Sequence, residues 1–119
     1  MRRLILACVA LALFAGACAE PPATEPVARG RQVFRMLDCG RCHFMEGSGG
    51  RLGPDLSHIG TVAAGRRPGQ GADEYIRESI ATPGAYVVPG YNDVMPRALG
   101  ARLSASDLEA LVRFLAEHK

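Results

Sequence analysis

The sequence lacks what most alternative folds and functions require. It has no run of about 20 apolar residues, the length that spans a bilayer comfortably as a helix. Beyond the amino-terminal segment it shows no strand pattern, which removes the βαβ setting of a thioredoxin-like dithiol. Metal-ligating residues are scarce, and two of the 4 cysteines, Cys8 and Cys18, belong to that amino-terminal segment. A zinc site built on Cys39 and Cys42 would have only His58 and His118 for its second half. With 119 residues, 48% of them hydrophobic, the chain holds one small domain and an appendage, with no room for a second core.

The appendage has its own logic. Arg2 and Arg3 precede an apolar run from Leu4 to Phe14, and the small residues Ala15-Gly16-Ala17 precede Cys18. That order describes an export signal over residues 1–17. Ala15-Gly16-Ala17-Cys18 resembles a bacterial lipobox, whose cysteine is acylated and becomes the first mature residue; Ala15 stands where leucine is most usual. Ordinary cleavage at the same Ala-x-Ala would leave a free terminal thiol in an oxidising space, a liability that favours lipidation of Cys18. Cys8 is then a small hydrophobe in a discarded segment. Removing Arg2 and Arg3 from the 14 cationic residues leaves them equal to the 12 acidic ones. A near-neutral mature chain argues against nucleic acid as a partner and against strong long-range steering. Residues 18–28 are rich in proline and lack apolar periodicity, which predicts a semi-extended tether reaching about 30 Å at roughly 3 Å per residue. Residues 29–119 remain for the folded domain.

Cys39-Gly40-Arg41-Cys42-His43 has the spacing of a c-type haem attachment site. On a helical turn, residues three and four apart share a face, so both sulfurs and the imidazole point at one object. Cys39 and Cys42 would form thioethers with the haem vinyl groups, and His43 would ligate the iron. Thioether attachment belongs to oxidising, extracytoplasmic compartments, which agrees with the export signal although the two readings use separate residues.

Around this motif the chain reads as helices and tight loops. Val27, Gly30, Phe34 and Leu37 form one face of a helix over Val27 to Asp38. Gly30 costs such a helix about 1 kcal/mol relative to alanine, so its expected role is close approach by another helix. The glycine-rich stretch Phe44 to Leu56 predicts a loop folded closely against something, with a haem edge the natural candidate. In it, Pro54 offers a fixed carbonyl that could accept the second ring proton of His43 and orient the imidazole. Thr61 to Gly71 reads as loop, with Arg66 and Arg67 in a solvated turn or facing haem propionates or an acidic partner. Asp73 to Ala81 reads as a short helix buried through Ile76 and Ile80; Tyr75 belongs to core or pocket. Ser104 caps a last helix, with Asp107 at the third position and Leu108, Leu111, Val112 and Leu115 as its stripe, flanked by Phe114.

Met95 sits between Pro89 and Pro96, which restrict the backbone and push it toward an extended conformation. Met36 lies on the first helix, and Met45 follows His43 too closely to cross to the other side of a haem. Met95 is therefore the expected sixth ligand, with His58 as a bis-histidine rival.

These residues in this order resemble a class I, mitochondrial-cytochrome-like c-type cytochrome domain from about Ala28 to His118. The resemblance is carried by Gly30 and Phe34, Cys39-x-x-Cys42-His43, Gly53-Pro54-Asp55-Leu56, Pro89-Gly90-Tyr91 leading to Met95-Pro96, and Leu111-Val112-Arg113-Phe114-Leu115. It implies an all-α fold of three to four helices around one covalent haem c, with the first and last helices crossing at Gly30 near Phe114. It implies Cys39, Cys42, Pro54 and Tyr91 at the cofactor, and His43 and Met95 on its iron. The spacing is similar to single-haem domains fused to subunit II of haem-copper oxidases and to small membrane-tethered bacterial carriers. The implied function is one-electron transfer in the periplasm or another extracytoplasmic space, membrane-anchored through Cys18, between a donor complex or dehydrogenase and an acceptor such as an oxidase. Lys119 is the only lysine, so a lysine-ringed docking face gives way to arginines or apolar atoms. The contrasting expectation is a haem sensor or peroxidase in which Met95 dissociates.

Overall fold

The computed structural model describes residues 20–119; residues 1–17, expected as an export signal, and Cys18 lie outside the described residues. Helix α1, Pro26–Met36, begins at a strong cap. The Glu25 carboxylate accepts the backbone N–H groups of Val27 at 3.1 Å and Ala28 at 2.8 Å, two of the donors a helix start leaves unpaired. Those bonds hold the Glu25 carboxyl below its usual range. Pro26 at the first turn costs nothing, since its missing N–H has no intrahelical partner there. The helix therefore starts inside the segment 18–28 expected as a tether. Residues 20–25 also lie along it: the buried Gln32 side chain donates to the Pro21 carbonyl and accepts from the Ala23 N–H, each at 2.8 Å.

At its other end α1 stops at Met36, and Asp38 adopts a left-handed conformation (φ 56°) that turns the chain into a 3-10 turn at Cys39–Arg41. A two-stranded hairpin follows, β1 (Phe44–Met45) paired with β2 (Ser48–Gly49) through a turn at Glu46-Gly47. The expectation of a loop without strands is corrected here, because a ladder two residues long carries no periodicity to read. Helix α2 (Ile59–Val62) and a 3-10 turn at Ala63–Gly65 occupy much of a stretch expected as loop, since Ile59 and Ala63, four apart, are both buried in the core. Helix α3 spans Ala72–Ala81 with Tyr75, Ile76 and Ile80 buried.

Helix α4 (Ala105–Ala116) is capped as the sequence implies, with the Asp107 N–H donating to Ser104 Oγ at 3.1 Å. It crosses α1 at Gly30, where a Cβ would lie 2.5 Å from Phe114 Cβ and 2.7 Å from the Ala110 carbonyl carbon. Phe34 and Phe114 meet edge to face beside that crossing, ring centroids 5.7 Å apart. Phe114, Leu111, Val33 and Val112 are the largest fully buried side chains among the described residues. A bidentate ion pair from Arg29 to Asp107, at 2.7 and 3.0 Å, spans the same two helices.

Two outcomes follow. Gly30→Ala forces the helices apart and is expected to lower unfolding stability in guanidinium by about 1–3 kcal/mol, the usual cost of overpacking. The hydrogen bond and charge of Arg29 hold the Asp107 carboxyl below its usual range, so its folded pKa lies under the unfolded value. A depressed carboxylate stabilises the fold above about pH 4 and loses that contribution as pH falls through the folded pKa. Thermal melting between about pH 5 and pH 2 should therefore fall less steeply for Asp107→Asn than for the unmodified protein.

Candidate functional site

A cavity of about 490 Å³, within the range of small-molecule and cofactor sites, lies between the Cys39–His43 turn and the segment from Tyr86 to Pro96. Its depth is formed by side chains from three helices, among them Ile59, Tyr75, Ile76, Ile80 and Leu115, so its lining is mainly apolar. Cys39, Cys42 and His43 stand together on one wall. They do so because the turn is tight: the Cys42 and His43 N–H groups both donate to the Cys39 carbonyl, at 3.2 and 3.0 Å. Burial pushes the Cys39 thiol up to about 11. A thiol in that state is protonated at neutral pH and suits a mainly apolar lining.

The His43 ring is fixed from behind. Its Nδ1 lies 2.7 Å from the Pro54 carbonyl oxygen. A carbonyl only accepts, so Nδ1 carries the proton and Nε2 keeps its lone pair for a ligand. Gly53 forms the shelf under the ring, where a Cβ would lie 2.7 Å from Nδ1 and 2.9 Å from Nε2. The glycine-rich loop folds on the motif's own backbone, with Gly50 N–H donating to Gly40 and Gly53 N–H to Cys42, both at 2.9 Å. The loop thus folds closely on the attachment turn, and its residues Leu52, Gly53, Pro54 and Leu56 line the cavity.

Met95 also lines the cavity and is partly exposed. The segment leading to it opens with a turn in which Tyr91 N–H donates to the Val88 carbonyl at 3.1 Å, with Pro89 second and Gly90 third at φ 91°. That is the type II arrangement, which needs a positive φ at the third residue. Tyr91, 38% exposed, and Val94, 56% exposed, stand at the cavity mouth. The Asp93 carboxylate pairs with the Arg97 guanidinium across Met95. His58, the rival ligand, is exposed, bonds to the Lys119 carbonyl at 3.0 Å and is not part of the lining.

Two thiols, an imidazole nitrogen and a thioether lining one mainly apolar cavity fit a haem held by covalent attachment. The family model for cytochrome c matches residues 27–119. The chain belongs to the cytochrome c family. Its cofactor is a covalently attached haem c, with Cys39 and Cys42 at the attachment spacing. A search of curated proteins returns no match.

The cytochrome brings together Cys39, Cys42, His43, Pro54, Tyr91 and Met95, all of which line one cavity. Cys18 lies outside the described residues. Sequence reasoning missed Tyr86 and left Tyr75 open; both line the cavity, their rings 6.0 Å apart edge to face. It also favoured a solvated turn for Arg66 and Arg67. The structure corrects this: both are half-buried, Arg66 lines the cavity, and Arg67 pairs with Glu78 and lies 5.7 Å over the Tyr86 ring. The signal that could have found Arg67 is its distance from α3, whose Glu78 faces back toward the loop. The fixed ring position yields a further expectation. Gly53→Ala displaces the His43 imidazole, and the purified cytochrome should show several-fold lower haem occupancy or a shifted oxidised spectrum at unchanged helix content by circular dichroism.

Proposed function

We propose that this cytochrome is an extracytoplasmic one-electron carrier of a respiratory or related chain, with His43 and Met95 as the axial ligands of its haem iron. The observation that carries the reading is that Met95 faces the same cavity as a His43 whose other nitrogen is committed to the Pro54 carbonyl. When bound, the haem supplies a ferric/ferrous couple. The chain's own residues tune that couple. Donation from His43 to Pro54 raises the basicity of Nε2 and holds the ring plane. The Met95 thioether, a soft donor, favours ferrous iron and a relatively high potential. Apolar side chains from α2, α3 and α4 exclude water from the interior side, while Tyr91 and Val94 leave the mouth partly open for electron exchange.

Docking to a donor complex or dehydrogenase and to an acceptor such as an oxidase is transient and uses a small interface around Gly40, Arg41, Met45 and the Met95 segment. Acylation of Cys18 holds the carrier at the membrane, and nucleic acid plays no part. The lipobox-like residues Ala15-Gly16-Ala17-Cys18 support that anchor.

The decisive experiment is an absorption study of export-matured protein. The oxidised form should show the weak red-region methionine-to-iron band, and Met95→Ala should abolish it and lower the potential by roughly 0.1–0.3 V, a fraction of the ~0.8 V that axial ligands command. Rapid carbon monoxide binding by the reduced unmodified protein at neutral pH would overturn the carrier reading in favour of an open, ligand-sensing site. Mass spectrometry of the mature amino terminus reads the acyl group on Cys18 directly.

A further inference from the structure

Gln32 is the only buried polar side chain among the described core residues, 7% exposed on a helix otherwise buried through Gly30, Val33 and Phe34. What covers it is the amino-terminal segment. Both ends of its amide are used: Nε2 donates to the Pro21 carbonyl and Oε1 accepts the Ala23 N–H, each at 2.8 Å. Arg29 Nη1 donates to the same Oε1 at 3.3 Å, and the Glu20 carboxylate pairs with Arg35 at 2.9 Å. The contacts form a register. Glu25 caps the first turn of α1, residues 23 and 21 meet Gln32 in its middle, and residue 20 meets Arg35 in its last turn. The segment thus runs antiparallel to α1, back toward the end from which Cys39 follows. Pro21 and Pro22 already restrict the unbound chain, so less freedom is lost when it docks.

We propose that residues 20–25 are a strap latched on α1 by Gln32, and that the membrane anchor therefore leaves the domain at the haem-motif end of α1. The membrane part rests on the acylation of Cys18 proposed above; the latch does not. Only Ala19 separates Cys18 from Glu20, so the free reach of the anchor is about 7 Å when the strap is latched and about 25 Å when residues 19–25 are released. A latched strap holds the haem-motif end against the bilayer surface. The partner this placement fits is a membrane-bound redox protein whose docking site stands close to that surface, and a partner far above it requires the strap to open.

The test uses the full chain, matured and haem-loaded, in vesicles of phosphatidylethanolamine and phosphatidylglycerol carrying a fluorescent headgroup lipid. Two variants release the latch differently: Gln32→Leu keeps an apolar side chain in the covered position, and Ala23→Pro removes one N–H far from the core. Unchanged haem spectra show that each variant is folded. The Ala23 amide should exchange with deuterium at least ~10-fold more slowly than a free peptide, and Gln32→Leu should abolish that protection. Energy transfer from the headgroup fluorophore to the haem should drop roughly two-fold in both variants, as the longer tether lets the domain lift away. Free-peptide exchange at Ala23 in the unmodified protein overturns the strap. Protection at Ala23 with equal energy transfer in all three proteins overturns the membrane placement. A mature amino terminus without acyl chains overturns the anchor reading and its placement, while a protected Ala23 amide still upholds the strap.

Discussion

The approach of α1 to α4 at Gly30 is the constraint on which the rest of the domain depends. With no side chain at that point, the Ala110 carbonyl and Phe114 Cβ come against the α1 backbone, and Val33 and Phe34 on one helix interlock with Leu111, Val112 and Phe114 on the other. Exposed ion pairs contribute about 0–1 kcal/mol each, whereas burying one such apolar side chain contributes about 1.5–3 kcal/mol. The Arg29–Asp107 pair, whose side chains keep 23% and 20% of their surface, therefore sets the register of a crossing that packing already holds. The carboxy-terminal end of α1 is fixed as a consequence, and the attachment turn hangs directly from that end.

From there the site is built by backbone hydrogen bonding. A left-handed residue at Asp38 redirects the chain, and the Cys39 carbonyl closes the turn by accepting from Cys42 and His43. The glycine-rich loop then wraps the turn, which lets Pro54 arrive behind the His43 ring with its carbonyl at 2.7 Å. The polar groups that brace His43 here are backbone or imidazole, and the cavity lining stays mainly apolar. In a member of the cytochrome c family, a site of this kind serves electron transfer through its haem.

The sequence made α1, α3, α4 and the haem-attachment motif legible because each depends on a short-range rule. Ser104 with Asp107 marks a cap, the Cys-x-x-Cys-His spacing marks a turn aimed at one object, and Gly30 on an apolar face marks a crossing. The features that escaped depend on contacts distant in the chain or too short to have a period. Val33 is fully buried although the apolar stripe centred on Gly30 and Phe34, because α4 covers a wider arc of α1 than one seam. Arg67 looked like a solvated turn residue because its partners, Glu78 and Tyr86, belong to the far side of α3. The segment read as a tether from its proline content still makes contacts with α1: proline disfavours regular structure, yet its carbonyls remain acceptors, and Gln32 uses one of them.

The His43 and Met95 parts of the cavity lining are held unequally, and that inequality bears on how the cytochrome behaves. His43 is braced by a hydrogen bond, a backbone shelf and a packed turn. The Met95 segment has two local backbone bonds of its own, Tyr91 to Val88 and Val94 to Asn92, and its side chains Tyr91 and Val94 are exposed. Its downstream leg compensates. Arg97 reaches back to Asp93 and lies over Gly84, where a Cβ would be 2.5 Å from its Cζ, and Leu99 is buried beyond it. The Asp93–Arg97 pair is largely exposed, so its own contribution is small and is screened by salt. The segment's position then rests mainly on proline restriction and the buried Leu99, which makes the methionine side the part of the site where ionic strength or partner contact is felt first.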